Sequence, residues 1–293
     1  MESTDYGAIA RSAGLERVGS RPPLLTYIGQ VWQRRAFAMT LAQYRIRAAN
    51  EQNRLGLAWV VIRPLLNAVV YGLIFGVVLK TANNGPGLPN FIPYLIVGVF
   101  IFEFFSDSFA DGSKAITRNA QLVSSLSFPR ILLPISMVLQ SLFELIPMIA
   151  VMLAIVLIAG EPVTFAWLML VPILALFTLF NAGVAFIAAR LTVHFRDFSQ
   201  IVPFITRLMF YTTGIFFSVE TYLTDPNLKH GETLLFLVRL NPVHDYIALA
   251  RGALVEYSPV VSMHWIVAIV GAFAFFIFGF IYFWKAEEQY GRD

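Results

Sequence analysis

Apolar residues in this chain arrive in blocks of about 20 or more, separated by short polar connectors, and that blocking limits the fold more than any motif does. A helix needs roughly 20 apolar residues to cross a hydrocarbon core. In lipid every backbone polar group must be satisfied internally, so spans of this kind are helices. Charged residues make up 13% of the chain and hydrophobic residues 58%, with a mean hydropathy of +0.70. A soluble domain carries about a quarter charged residues, so the composition agrees with an all-α integral membrane protein.

About six transmembrane helices are expected: Leu57–Leu79, Phe91–Phe109, Ile131–Ala159, Phe165–Ala189, Phe198–Ser218 and His264–Trp284. With the N-terminus inside, cytoplasmic segments hold Arg34, Arg35, Arg45, Arg47, Arg54, Lys114, Arg118, Arg130, Arg190, Arg196, Lys285 and Arg292. Outer segments hold only Lys80, Lys229, Arg239 and Arg251. Excess positive charge marks the cytoplasmic side, which places both termini there. Met1–Pro23 is polar and lacks an apolar core, so a flexible cytoplasmic tail is expected rather than a signal peptide.

Two segments do not fit a plain bundle. Residues 24–56 mix basic and apolar residues at helical spacing, with Phe37, Leu41, Tyr44 and Ala48 on one face. This reads as an amphipathic interface helix ahead of a 57–293 transmembrane domain. An ordinary basic juxtamembrane flank remains the alternative. Within Glu220–Ser262, the apolar stretches Leu234–Val238 and Tyr246–Leu254 are too short to span, and Asn241-Pro242 breaks the chain between them. Short re-entrant helices or a small folded outer loop both fit.

The chain has no cysteine and no phosphate-binding loop, since Gly112-Ser113-Lys114 lacks the upstream glycine spacing and the following Ser or Thr. No catalytic residue or metal site is expected. Ionisable residues within spans are costly and need partners. Arg63, Glu103, Asp107, Glu144 and Arg207 qualify, with Glu144 and Arg207 a candidate intramembrane pair, structural or in a pathway. Aromatic clusters at Phe100, Phe102, Phe104 and Phe105 and at Phe210, Tyr211, Phe216 and Phe217 suit sugar stacking or plain helix packing.

Several segments resemble the membrane subunit of ABC-2 type exporters, in the branch that moves lipid-linked polysaccharides such as O-antigens, capsules, teichoic acids and galactans. They are Tyr44-Arg45-Ile46-Arg47, Leu55-Gly56-Leu57-Ala58-Trp59, Arg63-Pro64-Leu65 and Leu122 to Pro134 with its Phe128-Pro129-Arg130. Arg196-Asp197-Phe198 and Asn241-Pro242 also match, so the likeness runs from about Val31 to the C-terminus. The six residues Ala48-Ala49-Asn50-Glu51-Gln52-Asn53 between the basic patch and Leu55-Gly56 make that spacing longer than in the family.

The resemblance implies a homodimer in the bacterial inner membrane, working with two copies of a separate ABC ATPase subunit that carries ATP and Mg. It also implies a polyprenyl-diphosphate-linked glycan as cargo and no nucleic-acid partner. ATPase coupling would fall to Arg34, Arg35, Ser113, Lys114, Arg118, Asn119, Leu122, Ser125 and Leu126. Arg45, Arg47 and Arg63 would meet the substrate headgroup, and Tyr71, Phe75, Phe210, Tyr211 and Phe217 would line the conduit. The rival readings are a membrane-embedded enzyme of glycan assembly, for which Glu103, Asp107 and Asp111 share helical spacing, and an ABC permease for another amphipathic substrate.

Overall fold

The computed structural model describes residues 21–51, 53–71, 73–74, 91–217, 219, 231–256, 258 and 260–290. Every regular element among them is a helix. In chain order they are α1 (Leu24–Gln33), α2 (Arg35–Glu51), α3 (Trp59–Tyr71), α4 (Phe91–Ser113), α5 (Ala120–Ser125) and α6 (Leu132–Ile158). Then come α7 (Leu170–His194), α8 (Phe198–Thr212), α9 (Gly231–Arg239), α10 (Pro242–Leu254) and α11 (Ser262–Lys285). The tail expected over 1–23 lies outside the described residues except for its last three.

Among the described residues, four helices are long and apolar enough to cross a membrane: Phe91–Ser113, Leu132–Ile158, Phe165–His194 (α7 with a short 3-10 turn before it) and Ser262–Lys285. At 1.5 Å per residue, the 23 residues of α4 extend about 34 Å. The first and fifth expected spans are not present at crossing length. The first is seen as α3, whose 13 residues stop at Tyr71, and the remainder to Leu79 falls mostly outside the described residues. The fifth is seen as α8, which ends after 15 residues at Thr212. α2 and α3 together would count as one broken span, bent by 102°. The bend explains Leu55-Gly56: Gly56 has φ of 51°, which side chains disfavour, and it opens the 3-10 turn Gly56–Ala58.

α4 is the central helix. It packs against α6, α7, α8 and α10 and is buried around most of its circumference. α7 and α11 form the most extensive pair, and they meet backbone to backbone. A Cβ on Gly183 would lie 2.3 Å from the Phe275 carbonyl carbon, and one on Gly279 would lie 2.4 Å from the Gly183 oxygen. Small residues at a crossing let apolar helices approach closely where lipid offers no hydrophobic drive.

α2 packs on α6, but its buried line is Ala38, Ala42 and Asn50, with Arg45 half-buried. Phe37 and Leu41 flank that line, while Tyr44 and Ala48 are exposed. The packed face is therefore about one position round from the expected one. Small alanines, rather than the large apolar residues, allow the close approach to α6. The segments Leu234–Val238 and Tyr246–Leu254 fall in α9 and α10, with the break at Leu240-Asn241. Asn241 caps α10 by accepting a hydrogen bond from Val243 N at 3.1 Å, and Pro242 occupies the first helical turn. α10 is largely buried against α4 and α11.

Candidate functional site: a polar groove and its basic end

The two ends of the bundle differ in charge. Arg34, Arg45, Lys114, Arg118, Arg130, Arg190, Arg196 and Lys285 gather where α1, α2 and α5 meet the ends of α6, α7 and α11. A buried carboxylate ties the elements of this basic end together. Glu287, 6% exposed, accepts hydrogen bonds from Arg130 N at 2.9 Å through Oε1 and from Tyr27 Oη at 2.7 Å through Oε2. Tyr27 Oη in turn accepts from Ile131 N at 3.4 Å, and Arg130 Nη1 donates to the Glu287 carbonyl. Arg130 N and Ile131 N lie just ahead of α6, in the elbow that ends at its N-cap Ile131. Glu287 and Tyr27 thus cap α6 from both ends of the chain, and a carboxylate suits the positive end of a helix dipole. Burial pushes the Glu287 carboxyl up from its ordinary value, against the hydrogen bonds from Arg130 and Tyr27. It pushes the Tyr27 hydroxyl up as well. This arrangement gives a reason for Phe128-Pro129-Arg130: the elbow turns the chain from α5 into α6, and Arg130 fastens it to the C-terminal tail.

The residues expected to couple to an ATPase lie in two separate segments, and the fold brings most of them together. Arg34 Nη1 donates to the Ser127 carbonyl at 2.5 Å, Phe37 packs on Phe128 with ring centres 5.1 Å apart, and Arg45 Nη2 donates to Asn119 Oδ1 at 3.0 Å. Lys114, Asn119 and Leu122 are partly exposed, and Arg118, Ser125 and Leu126 are fully so. Two of the set sit apart. Ser113 is buried and donates to the Ala110 carbonyl, and Arg35 folds back on Trp32, its guanidinium 4.8 Å from the ring centre. A cavity of about 430 Å³ opens beside α5, lined by residues that include Ile116, Val123, Thr192, Arg196 and Tyr290.

Of the headgroup candidates, Arg45 is turned inward. It also donates to Ser136 Oγ at 2.9 Å, and burial pulls its guanidinium down to about 10, so it remains charged at neutral pH. Those bonds tie α2 to α6 and to the connector. Arg47 and Arg63 are exposed.

Above the basic end, α4 presents Glu103, Asp107 and Asp111 at four-residue spacing, which is one helical stripe. Asn67 Nδ2 of α3 donates to Glu103 at 2.9 Å, and Arg118 Nη1 meets Asp111 Oδ1 at 2.6 Å. Arg63 is near enough to act electrostatically on Asp107 and on Glu144 of α6. The pair expected between Glu144 and Arg207 does not form. Glu144 accepts from Gln140 at 3.2 Å on the α6 side of this groove, whereas Arg207 is exposed on α8. Opposite charge alone does not determine which faces of α6 and α8 two residues occupy.

At the far end of the groove stand aromatic rings. Phe210 lies 5.3 Å from Phe102, 5.6 Å from Tyr211 and 5.1 Å from Phe216 between ring centres. Tyr71 is half-buried at the end of α3, within electrostatic range of Glu103 and Tyr211. Phe217 is partly buried, and its carbonyl accepts from Tyr94 Oη at 3.3 Å. Phe75 lies outside the described residues.

Three buried polar side chains escaped the sequence reading. Glu287 stood in a short polar tail, Arg251 in an outer connector and His264 at the start of the last expected span. His264 Nδ1 lies 2.5 Å from Asp245 Oδ1 with both side chains buried, joining α11 to α10. The mixture of apolar and ionisable residues in Tyr246–Leu254 was the available signal, because charge inside an apolar stretch needs a partner.

A bundle of long apolar helices with a polar stripe along its central member and a basic end defines a multi-pass membrane protein. A family model described as ABC-2 type transporter matches residues 37–255, about three quarters of the chain, and the chain belongs to that family of transport subunits. It is 28% identical over 221 residues to the O-antigen export system permease protein RfbA of Myxococcus xanthus, covering 75% of this chain and 80% of that one. Two proteins of the same name from Klebsiella pneumoniae are 30% and 29% identical over 166 and 176 residues. Those matches cover 56% and 60% of this chain and 62% and 66% of the relatives.

Proposed function

We propose that the chain is the membrane subunit of an ATP-driven exporter that moves a lipid-linked polysaccharide from the cytoplasmic to the outer face of the membrane. The observation that carries the proposal is the joining of two distant segments at the basic end, through Arg34–Ser127 and Arg45–Asn119, into one exposed platform around α5. In this reading the basic end is cytoplasmic, as the positive-inside bias favours, and both termini lie there. The platforms of the two copies in a homodimer dock two copies of an ABC ATPase, one each, which supply ATP and Mg. ATP binding can bias the helices only by contacting their two arrangements differently, and a rigid connector fastened to α2, α6 and the C-terminal tail is a suitable lever. The names of the relatives, O-antigen export permeases, support the polysaccharide class.

The chain works as a homodimer with six spans per copy, α3 and α8 being parts of the first and fifth. Both leave apolar faces uncovered, Leu65, Leu66, Val69 and Val70 on one and Ile201, Phe204 and Leu208 on the other. Those faces and the groove between α3, α4 and α8 form the conduit, with Tyr71, Phe75, Phe210, Tyr211 and Phe217 offering rings to the sugar. Residues 24–56 form the interface helix region, and α9 with α10 form the re-entrant pair near the outer mouth. Arg47 and Arg63 remain free to meet a diphosphate headgroup.

Co-purification of the tagged chain from its native membrane, with partners identified by mass spectrometry, tests this. An ATPase retained at about one per copy is expected, and recovery of the intact chain alone would overturn the exporter. Replacing Glu103, Asp107 and Asp111 together by their amides separates the enzyme reading. Export that survives removes it.

A further inference from the structure

The turn that follows α8 is held by side chains of other helices: Arg251 and His244 of α10, the latter with Nδ1 2.9 Å from the Thr213 carbonyl, and Tyr94 of α4. Gly214 adopts φ of 75°, the left-handed conformation common just past a helix C-terminus. Two carbonyls of this turn, just past the helix end, are taken by Arg251 of α10. Its Nη1 donates to Gly214 at 2.9 Å and its Nη2 to Ile215 at 2.9 Å, while Nε donates to the Tyr94 carbonyl of α4 at 3.0 Å. The guanidinium carbon lies 3.4 Å from the centre of the Tyr94 ring. Gly98 makes the room for it: a Cβ there would sit 2.3 Å from Nη2.

Arg251 is 2% exposed, and among the described residues no carboxylate pairs with it. A buried charge is tolerated only while its hydrogen bonds hold. The three carbonyl bonds therefore tie the buried cation to the turn and to α4 at once. The same turn places Phe216, whose ring lies 5.1 Å from Phe210 and 5.9 Å from Tyr211 between centres.

We propose that Arg251 is the positioning residue of this aromatic cluster. By holding Gly214 and Ile215 against Tyr94, it keeps Phe210, Tyr211 and Phe216 closed over the groove at the end away from the basic platform. Passage at that end requires the three bonds to release. The proposal rests on the transport reading above and adds to it the residue that sets the closed state.

The chain has no cysteine, so introduced thiols report directly. Thr213→Cys places one in the turn, at a position 0% exposed, and Ser113→Cys places another at the opposite end of α4, at 1% exposed. The full chain with its co-purified ATPase is reconstituted in vesicles, and labelling by a maleimide and passive leak of a small anionic dye are measured without ATP. Arg251→Met is expected to raise labelling at Thr213→Cys at least tenfold, to leave Ser113→Cys unchanged, and to open a dye leak. Gly98→Ala, which displaces the guanidinium without removing its charge, is expected to act in the same direction and carries the test if Arg251→Met does not fold. Equal gains at both thiols, no gain in the turn, or labelling without leak would each overturn the latch. Neither readout needs nucleotide or glycan, so failure of ATP-driven export by the unmodified chain would instead remove the transport reading.

Discussion

Glu287, six residues from the C-terminus, accepts a hydrogen bond from the main-chain amide of Arg130 at 2.9 Å, and so ends α6 from outside. Because its other oxygen takes the Tyr27 hydroxyl at 2.7 Å, removing it strips partners from two buried donors at once. A buried donor left unsatisfied costs about 1–3 kcal/mol. Glu287→Ala is therefore expected to destabilise the protein by about 3 kcal/mol, and Tyr27→Phe by about 1 kcal/mol. Denaturant unfolding in mild detergent measures both. Equal stability of Glu287→Ala and the parent protein would mean that the cap contributes nothing.

The same carboxylate gives stability a direction with pH. Burial raises its pKa in the folded state, so the folded protein holds this proton at pH values where the unfolded chain has lost it. Stability from that proton is complete below the ordinary glutamate value of about 4.3 and declines as pH rises through the folded value. Glu287→Gln cannot titrate there. The difference in unfolding midpoint between Glu287→Gln and the parent is expected to move in favour of the glutamine variant as pH climbs from about 4 to 8. A difference that stays flat would place the carboxyl at its ordinary value.

Gly183 and Gly279 sit where α7 and α11 touch through their backbones. An added methyl at Gly183 meets main-chain atoms of Phe275 at 2.3 Å, and main chain cannot swing aside as a side-chain tip can. Overpacking of this kind costs about 1–3 kcal/mol, and occasionally more. Gly183→Ala and Gly279→Ala should each lose at least that much, whereas Gly29→Ala, with open space around it, should be neutral or slightly stabilising. Equal melting temperatures for the three variants would show that the crossing is looser than described.

Legibility followed the strength of the pattern. Four spans could be read because each apolar block is long, and block length is what the bilayer demands. The connector motifs could be read as boundaries, and their reasons then appeared in the structure: Gly56 for a bend, Asn241 for a cap and Arg130 for an anchor. The line of α2 that packs on α6 was not legible, because alanines rather than large apolar residues allow the close approach. The partner of Glu144 was misjudged because opposite charge says nothing of orientation. Glu287 and Arg251 were invisible as a pair of opposites. One carboxylate caps the start of α6 and one guanidinium caps the end of α8, each from a remote element and each with the charge its helix dipole favours. Such caps depend on tertiary approach, so no local spacing announces them.

Arg45 and Arg47, two residues apart, now carry different expectations. Arg45 donates to Asn119 at 3.0 Å and to Ser136 at 2.9 Å, whereas Arg47 is exposed. Arg45→Ala is expected to destabilise by about 2 kcal/mol, since hydrogen bonds from a charged group contribute about 1.5–3 kcal/mol. Its effect should not add to that of Asn119→Ala, because residues in direct contact couple. Arg47→Ala should leave stability within about 0.5 kcal/mol, as exposed substitutions do, and should lower glycan-stimulated ATPase activity if it meets a diphosphate. The double-mutant cycle and the stimulated activity separate the two roles. Additive losses for Arg45 and Asn119 would detach α2 from the connector, and unchanged stimulation in Arg47→Ala would leave Arg63 as the remaining headgroup candidate.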